Sequence, residues 1–197
     1  MKYLSIDLEA TGLREHDTII EFGMIPFDTK TKTLEKDLAR NFFIKCDSFE
    51  SLKPNLDPWV IEHNETLIKK AHSEGIATDE FKRRLETYLE SKEVKKYFAN
   101  DNNEKIILFG KSMNAIDLPF LTRDLSWEFM RKHFHHRDLD LSSTANTLID
   151  MGMLPEFCSS GSGLMKFLNM GEVCHTALED AVNTAKMYLK LIDHFGK

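Results

Sequence analysis

A chain of 197 residues, 42% hydrophobic and 29% charged, is long enough for one well-packed domain and too polar for a membrane protein. No apolar run approaches the roughly 20 residues of a spanning helix, and a net charge of −6 is the wrong sign for a broad phosphate-tracking surface. The segment Met1 to Asp7 meets an acid too early to hold the apolar core of a signal peptide. Three cysteines (Cys46, Cys158, Cys174) without a Cys-x-x-Cys pair argue against a disulfide framework and a zinc ribbon, so a reducing cytoplasm is the expected compartment.

Residues 3–7 read as a strand apolar on both faces, hence central. Residues 18–27 and 38–44 read as two more strands joined by the turn-like stretch 28–32, and three consecutive strands with short connections imply an antiparallel start. Pro58 behind Asp57 sits where a short helix over 57–63 would begin. Phe81, Leu85, Tyr88 and Leu89 have helical spacing within 78–91. The charged, Asn-rich stretch 92–104 reads as a surface loop. A later strand follows over 105–110, with an apolar helix over about 118–123 behind it. Asp140 caps a helix to Met151, 159–163 reads as a loop, and a final helix runs from Ala177 to His194. No repeat or linker divides the chain, so 1–197 reads as one α/β domain.

Asp7 and Glu9 interrupt the first strand. A spacing of two puts both carboxylates on one side, about 6 to 7 Å apart along the chain. Two like charges there repel unless something cationic compensates them. Lys2 is the only base nearby in sequence, so a bound divalent metal is the simplest compensator, and the pair suggests a metal-dependent hydrolase. Two divalent ions would also offset most of the negative charge, so an acidic protein could handle nucleic acid through a local site. It should then favour short or single-stranded ends over long duplex.

Thr176 and Glu179 form a capping box, Thr-x-x-Glu, ahead of the apolar stripe Leu178, Ala181, Val182, Ala185, Leu189 and Ile192. His175 is thereby left on the preceding loop and Asp180 in the first turns of the helix. Asp180 suits a metal ligand on a rigid element, and His175 a general base near neutral pH. Asp117 stands at a helix entrance beyond the strand ending at Gly110, where open α/β sheets place sites. Singly, Asp117 is equally an N-cap and Asp180 a solvated helix acid; four acids and a histidine together are a rarer pattern.

The blocks Ile6-Asp7-Leu8-Glu9-Ala10-Thr11-Gly12-Leu13, Asp117-Leu118-Pro119-Phe120-Leu121 and His175-Thr176-Ala177-Leu178-Glu179-Asp180-Ala181 resemble, in order, the three motifs of the DEDDh 3′-5′ exonucleases. The histidine type is indicated because the sister type has Tyr four residues before the last Asp, where this chain has Thr176. The resemblance implies a ribonuclease-H-like fold: a mixed sheet, antiparallel in its first three strands and then parallel, flanked by helices. It also implies Asp7, Glu9, Asp117 and Asp180 as ligands of two Mg²⁺ or Mn²⁺ ions, His175 as general base, and release of nucleoside 5′-monophosphates.

Residues 56–63 are similar to the oligoribonuclease segment whose Trp stacks on a terminal base, and 135–143 to its phosphate-holding block. On that resemblance Trp59, with Leu13, is placed to sandwich a base, and Thr11, Gly12, His63, Arg137 and Ser142 join the substrate-binding set. Core packing is an equal reading for Trp59, and a structural role the stronger one for His135 and His136. The stretch Gly110 to Asp117 departs from the Gly-Asn-Ser spacing of oligoribonuclease, and 155–163 looks more like proofreading members. The reading is therefore a 3′-5′ exonuclease on short or single-stranded nucleic acid, RNA slightly favoured. The alternatives are a DNA-specific proofreading or repair exonuclease, a phosphodiesterase without chain polarity, and a non-catalytic binding module of the same fold. Oligoribonuclease and ribonuclease T act as dimers, so the resemblance allows for a homodimer, with Trp127, Phe129 and Phe134 available to an interface or to the core.

Overall fold

A computed structural model describes residues 1–99, 105–171 and 176–196. Strand β1 (Lys2–Ala10) lies between β2 (Ile19–Asp28), antiparallel to it, and β5 (Leu108–Gly110), parallel to it. A six-stranded sheet results, in the order β3-β2-β1-β5-β6. The far edge of β2 is shared end to end. There β4 (Arg40–Phe43) pairs with residues from Glu21 to Met24, and β3 (Thr33–Leu34) with Phe27 and Asp28. β6 (Leu139–Asp140) runs parallel to β5. The expected antiparallel start and parallel continuation are both present. The third strand is shorter than 38–44, because Leu38 belongs to a 3₁₀ turn and Ile44 makes only an isolated bridge to Ile76.

The helices are α1 (Phe49–Leu52), α2 (Pro58–Glu74), α3 (Thr78–Leu89), α4 (Lys92–Phe98), α5 (Asp117–Leu125), α6 (Trp127–His133), α7 (Leu141–Asp150), α8 (Gly161–Phe167) and α9 (Ala177–Phe195). Alternation along β1 sorts them into two layers. The even residues Leu4, Ile6 and Leu8 pack with Phe81, Leu85, Phe98, Phe120 and Phe129, drawn from α3 to α6. The odd residue Tyr3 joins Phe109, Leu141, Leu164, Ala185 and Leu189 on the side of α7, α8 and α9. Asp7 and Glu9, also odd, therefore face the α9 layer.

Several expected elements are longer or of another kind. Helix α2 runs well past His63, because Val60, Asn64, Ile68 and Ala71 bury one face beside Ile20 and Phe49. The expected loop 92–104 begins as α4: Ser91 caps it by accepting from Val94 N at 3.4 Å, and Val94 and Phe98 are buried. Residues 100–104 lie outside the described residues. The expected loop 159–163 opens α8, where the Ser160 hydroxyl accepts from Gly163 N at 3.0 Å. A side chain at Gly163 would begin 1.9 Å from Phe157 O, so glycine is what lets that turn close. Phe129 and Phe134 are core residues, whereas Trp127 is 62% exposed.

Candidate active site

Three chain segments distant in sequence bring the acids together. Asp7 and Glu9 come from β1, and Asp180 from the first turns of α9, whose start the Thr176 hydroxyl caps by accepting from Glu179 N at 3.4 Å. One carboxylate oxygen from each of Asp7, Glu9 and Asp180 lies within 4.8 Å of the others, and all three residues are partly buried. Asp117 opens α5 and is buried; its carboxylate accepts from its own N–H and from that of Leu8, between the two strand acids.

The electrostatics are those of like charges held together. The Asp7 carboxyl is raised well above the usual range, first by burial and then by the charges of Asp117, Asp180 and Glu9. Burial, followed by Asp180 and Glu21, brings Glu9 up to about 7, against a lowering hydrogen bond from Asn64. Burial likewise raises Asp117 to about 7. The donors are all carboxylate oxygens at a spacing one ion can bridge, a set that fits a hard divalent cation such as Mg²⁺ or Mn²⁺. Of the protein's own cations, Lys111 opposes the rise at Asp7. Lys2, the base nearest in sequence, donates instead to Tyr97 O at 2.5 Å.

A cleft of about 690 Å³ adjoins Glu9, lined among others by Gly12, Leu13, Trp59 and Asn64. Leu13 is 76% and Trp59 52% exposed, so Trp59 is no core residue and both can present apolar surface to a ligand. His63 stacks on the Trp59 ring, with centroids 4.4 Å apart and planes at 13°. Thr11 is buried, and its hydroxyl is engaged within the turn: it donates to Asp17 Oδ1 at 3.3 Å and accepts from Thr18 N at 3.0 Å. A Cβ at Gly12 would sit 2.4 Å from Asp17 Oδ2, so a side chain there would displace that carboxylate. Although burial opposes it, hydrogen bonds from Arg14 hold the Asp17 carboxyl below the ordinary range, which keeps the Leu13 turn tied down.

The other expected contacts lie elsewhere. Ser142 Oγ is 2.8 Å from Ser112 Oγ, in a crevice shared with Lys111. Arg137 is exposed on the connection before β6, its N–H donating to His135 Nδ1 at 3.0 Å. Neither joins the cleft lined by Trp59. His175 lies outside the described residues. Asn64, Lys111 and Glu21 were not expected at the site. Asn64 could have been found as the polar residue in the helical stripe Val60, Asn64, Ile68, Ala71 of a longer helix. Lys111 needed the β1–β5 register, in which Leu4 pairs with Leu108 and Ser5 with Phe109.

A mixed sheet whose central strand and covering helix converge carboxylates on a nucleotide-sized cleft defines a ribonuclease-H-like nuclease. The chain matches the exonuclease family RNase_T over residues 4–188 and belongs to it. Its fold is that of the nuclease domain of 3′hExo, a DEDDh family member bound to rAMP, at a TM-score of 0.68 and 14% identity, covering 98% of this chain and 92% of that one. E. coli exonuclease I in complex with a 5cy-dT13 oligonucleotide aligns at a TM-score of 0.71 and 14% identity, over 99% of this chain but only 41% of that one. The cell-death related nuclease CRN-4 aligns at 0.69 and 14% identity, over 98% of this chain and 64% of that one, so this chain spans less than two thirds of its length. No curated protein sequence matches the chain. Among the described residues no helix is long and apolar enough to cross a membrane.

Proposed function

We propose that the chain is a metal-dependent 3′-5′ exonuclease that removes nucleoside 5′-monophosphates from short or single-stranded nucleic acid, with RNA slightly favoured. The observation that carries the reading is the Asp7, Glu9 and Asp180 cluster, with ligand oxygens within 4.8 Å of one another, opening beside the cleft of Leu13 and Trp59. Asp7, Glu9, Asp180 and Asp117 would hold two divalent ions, Mg²⁺ or Mn²⁺. When bound, such ions supply positive charge to phosphate oxygens and favour deprotonation of water.

The protein's own groups do the rest. Leu13 and Trp59 hold the terminal base, which sets the 3′ end against the acids. Gly12 lets the backbone of that turn approach the substrate. His175, neutral when it acts, takes the proton from the attacking water as its oxygen bonds to phosphorus and the bond to the 3′ oxygen breaks. The departing 3′ oxygen takes a proton from solvent to become a free 3′ hydroxyl, and the released nucleotide keeps the phosphate. The structures bound to rAMP and to a 5cy-dT13 oligonucleotide support a nucleic-acid substrate without choosing the sugar.

The test is Mn²⁺-dependent digestion of 5′-labelled single strands, from dinucleotides to 20-mers, RNA beside matched DNA. Stepwise shortening to a ladder is expected, fastest on short RNA. Release of internal fragments would exclude exonuclease action, and a strong preference for DNA would replace the ribonuclease reading with the proofreading or repair one.

A further inference from the structure

The carboxylate cluster depends on where α9 lies, because Asp180 is the one clustered acid not carried by β1. At Gly23 the backbones of β2 and α9 come close together: a Cβ there would be 2.2 Å from Leu178 N and 2.3 Å from the Ala177 carbonyl carbon. Two buried polar ties flank Asp180 there. Ala177 N, in the first turn, donates to Glu21 Oε2 at 3.1 Å, while Ser5 Oγ donates to Ala181 O at 2.7 Å, one residue beyond Asp180. Ser5 is 0% and Glu21 1% exposed. Ser5 is two residues from Asp7 on the same face of β1, and Glu21 stands opposite Glu9 in the β1–β2 register. The two strands that carry or abut the other two acids thus grip the helix that carries the third.

We propose that Ser5 and Glu21 are positioning residues, which set the carboxylate of Asp180 against those of Asp7 and Glu9 and so set the strength of divalent-ion binding. The proposal rests on the reading of Asp180 as a metal ligand. Helix capping alone does not account for the pair. Glu21 satisfies one orphan N–H of the first turn beside the one that Thr176 takes, but Ala181 O lies inside the helix, where the Ser5 hydroxyl adds no capping. Nor is Glu21 an economical anchor, since its charge adds to the repulsion at Glu9. Its oxygens are both used, Oε1 accepting from Asn41 Nδ2 at 2.6 Å and Oε2 from α9. A tie on either side of Asp180 opposes sliding and rotation of the first turns, where the buried side chains of the helix are the small Ala177, Ala181 and Ala185, whereas Met187, Leu189 and Leu191 anchor its later part in the core.

The test compares the full chain with Ser5→Ala, Glu21→Ala and Glu21→Gln in three measurements: Mn²⁺ binding by electron paramagnetic resonance, hydrogen exchange of the amides from Ala177 to Ala181, and kcat and KM on a 5′-labelled single strand. Loss of a group that orients a ligand typically costs about 10- to 100-fold in metal affinity or activity. Ser5→Ala and Glu21→Ala should each weaken Mn²⁺ binding about tenfold and lower kcat comparably, with KM for the strand within about twofold and faster exchange in the first turn of α9. Glu21→Gln should retain most of the wild-type affinity. Its oxygen can still accept from Ala177 N, and a flipped Asn41 amide can use its Oδ1, a buried atom without a hydrogen-bond partner among the described residues, to accept from the new amide. Folded Ser5→Ala and Glu21→Ala proteins that bind Mn²⁺ like the wild type overturn the proposal, even with a lower Tm. Should Glu21→Ala not fold, Ser5→Ala, which removes a single oxygen, decides alone. A wild-type chain that binds no Mn²⁺ and cuts no strand removes the nuclease reading itself. A wild-type chain that does both, beside insensitive variants, removes only the positioning role.

Discussion

Replacing Glu9 by Gln removes one charge from the carboxylate cluster while keeping its shape and an oxygen to accept from Asn64. Burial, then the charges of Asp180 and Glu21, raise this carboxyl from an ordinary 4.5 to about 7. At about 1.4 kcal/mol for each tenfold in proton affinity, an ionised Glu9 costs the metal-free fold about 3 kcal/mol. The folded carboxyl binds its proton more tightly than the unfolded one. The protonated group therefore favours the fold below the unfolded value, and that advantage is lost as pH rises through about 7. In chelator at about pH 8.5, Glu9→Gln should melt higher than the wild type, by roughly 6 to 12 °C at about 2–4 °C per kcal/mol for a chain of this size. At about pH 4 the two should melt together. Mn²⁺ should narrow the difference at high pH, since it stabilises the wild-type cluster by mass action and binds the variant less well. Differential scanning calorimetry in chelator at the two pH values is the assay. A variant that melts at or below the wild type at high pH would refute the argument that like-charge repulsion and burial set the site's energetics.

His175→Ala should lose most turnover while Mn²⁺ binding survives, whereas Asp7→Ala should lose both; single-turnover rates beside ion titrations check this, and a near-native rate in either variant would remove its assigned role. Trp59→Ala should raise KM with kcat little changed, by a factor matching the roughly 1–3 kcal/mol of one base stacked on an aromatic ring; steady-state kinetics with an unchanged KM would leave Trp59 outside the substrate site. Gly23→Ala should lower Tm by the equivalent of about 1–3 kcal/mol of overpacking and weaken Mn²⁺ binding as α9 is pushed from β2. An unaltered melting curve would show that the helix can retreat without cost.

What could be read from the chain alone rests on geometry spanning only a few residues. Alternation along a strand put Asp7 and Glu9 on one face, and they share it. Side-chain caps announced the starts of helices at Asp57, Asp140 and Thr176, and each accepts the expected backbone N–H. The ordered motifs carried the family, and with it the mixed sheet. The stretches 92–98 and 161–163 differ for the converse reason: their charge or glycine content resembles loop, and they belong to helices because Val94, Phe98, Leu164 and Met165 find a core supplied by distant segments. Only the tertiary structure decided that Trp59 is exposed, that Asn64 meets Glu9, and that Lys111 rather than Lys2 stands near Asp7. Those pairings join residues far apart in sequence, and sheet order and helix docking set them; no local rule of spacing reaches that far. The sequence named the acids one by one, and the docking of α9 on β1 and β2 made three of them a single cluster.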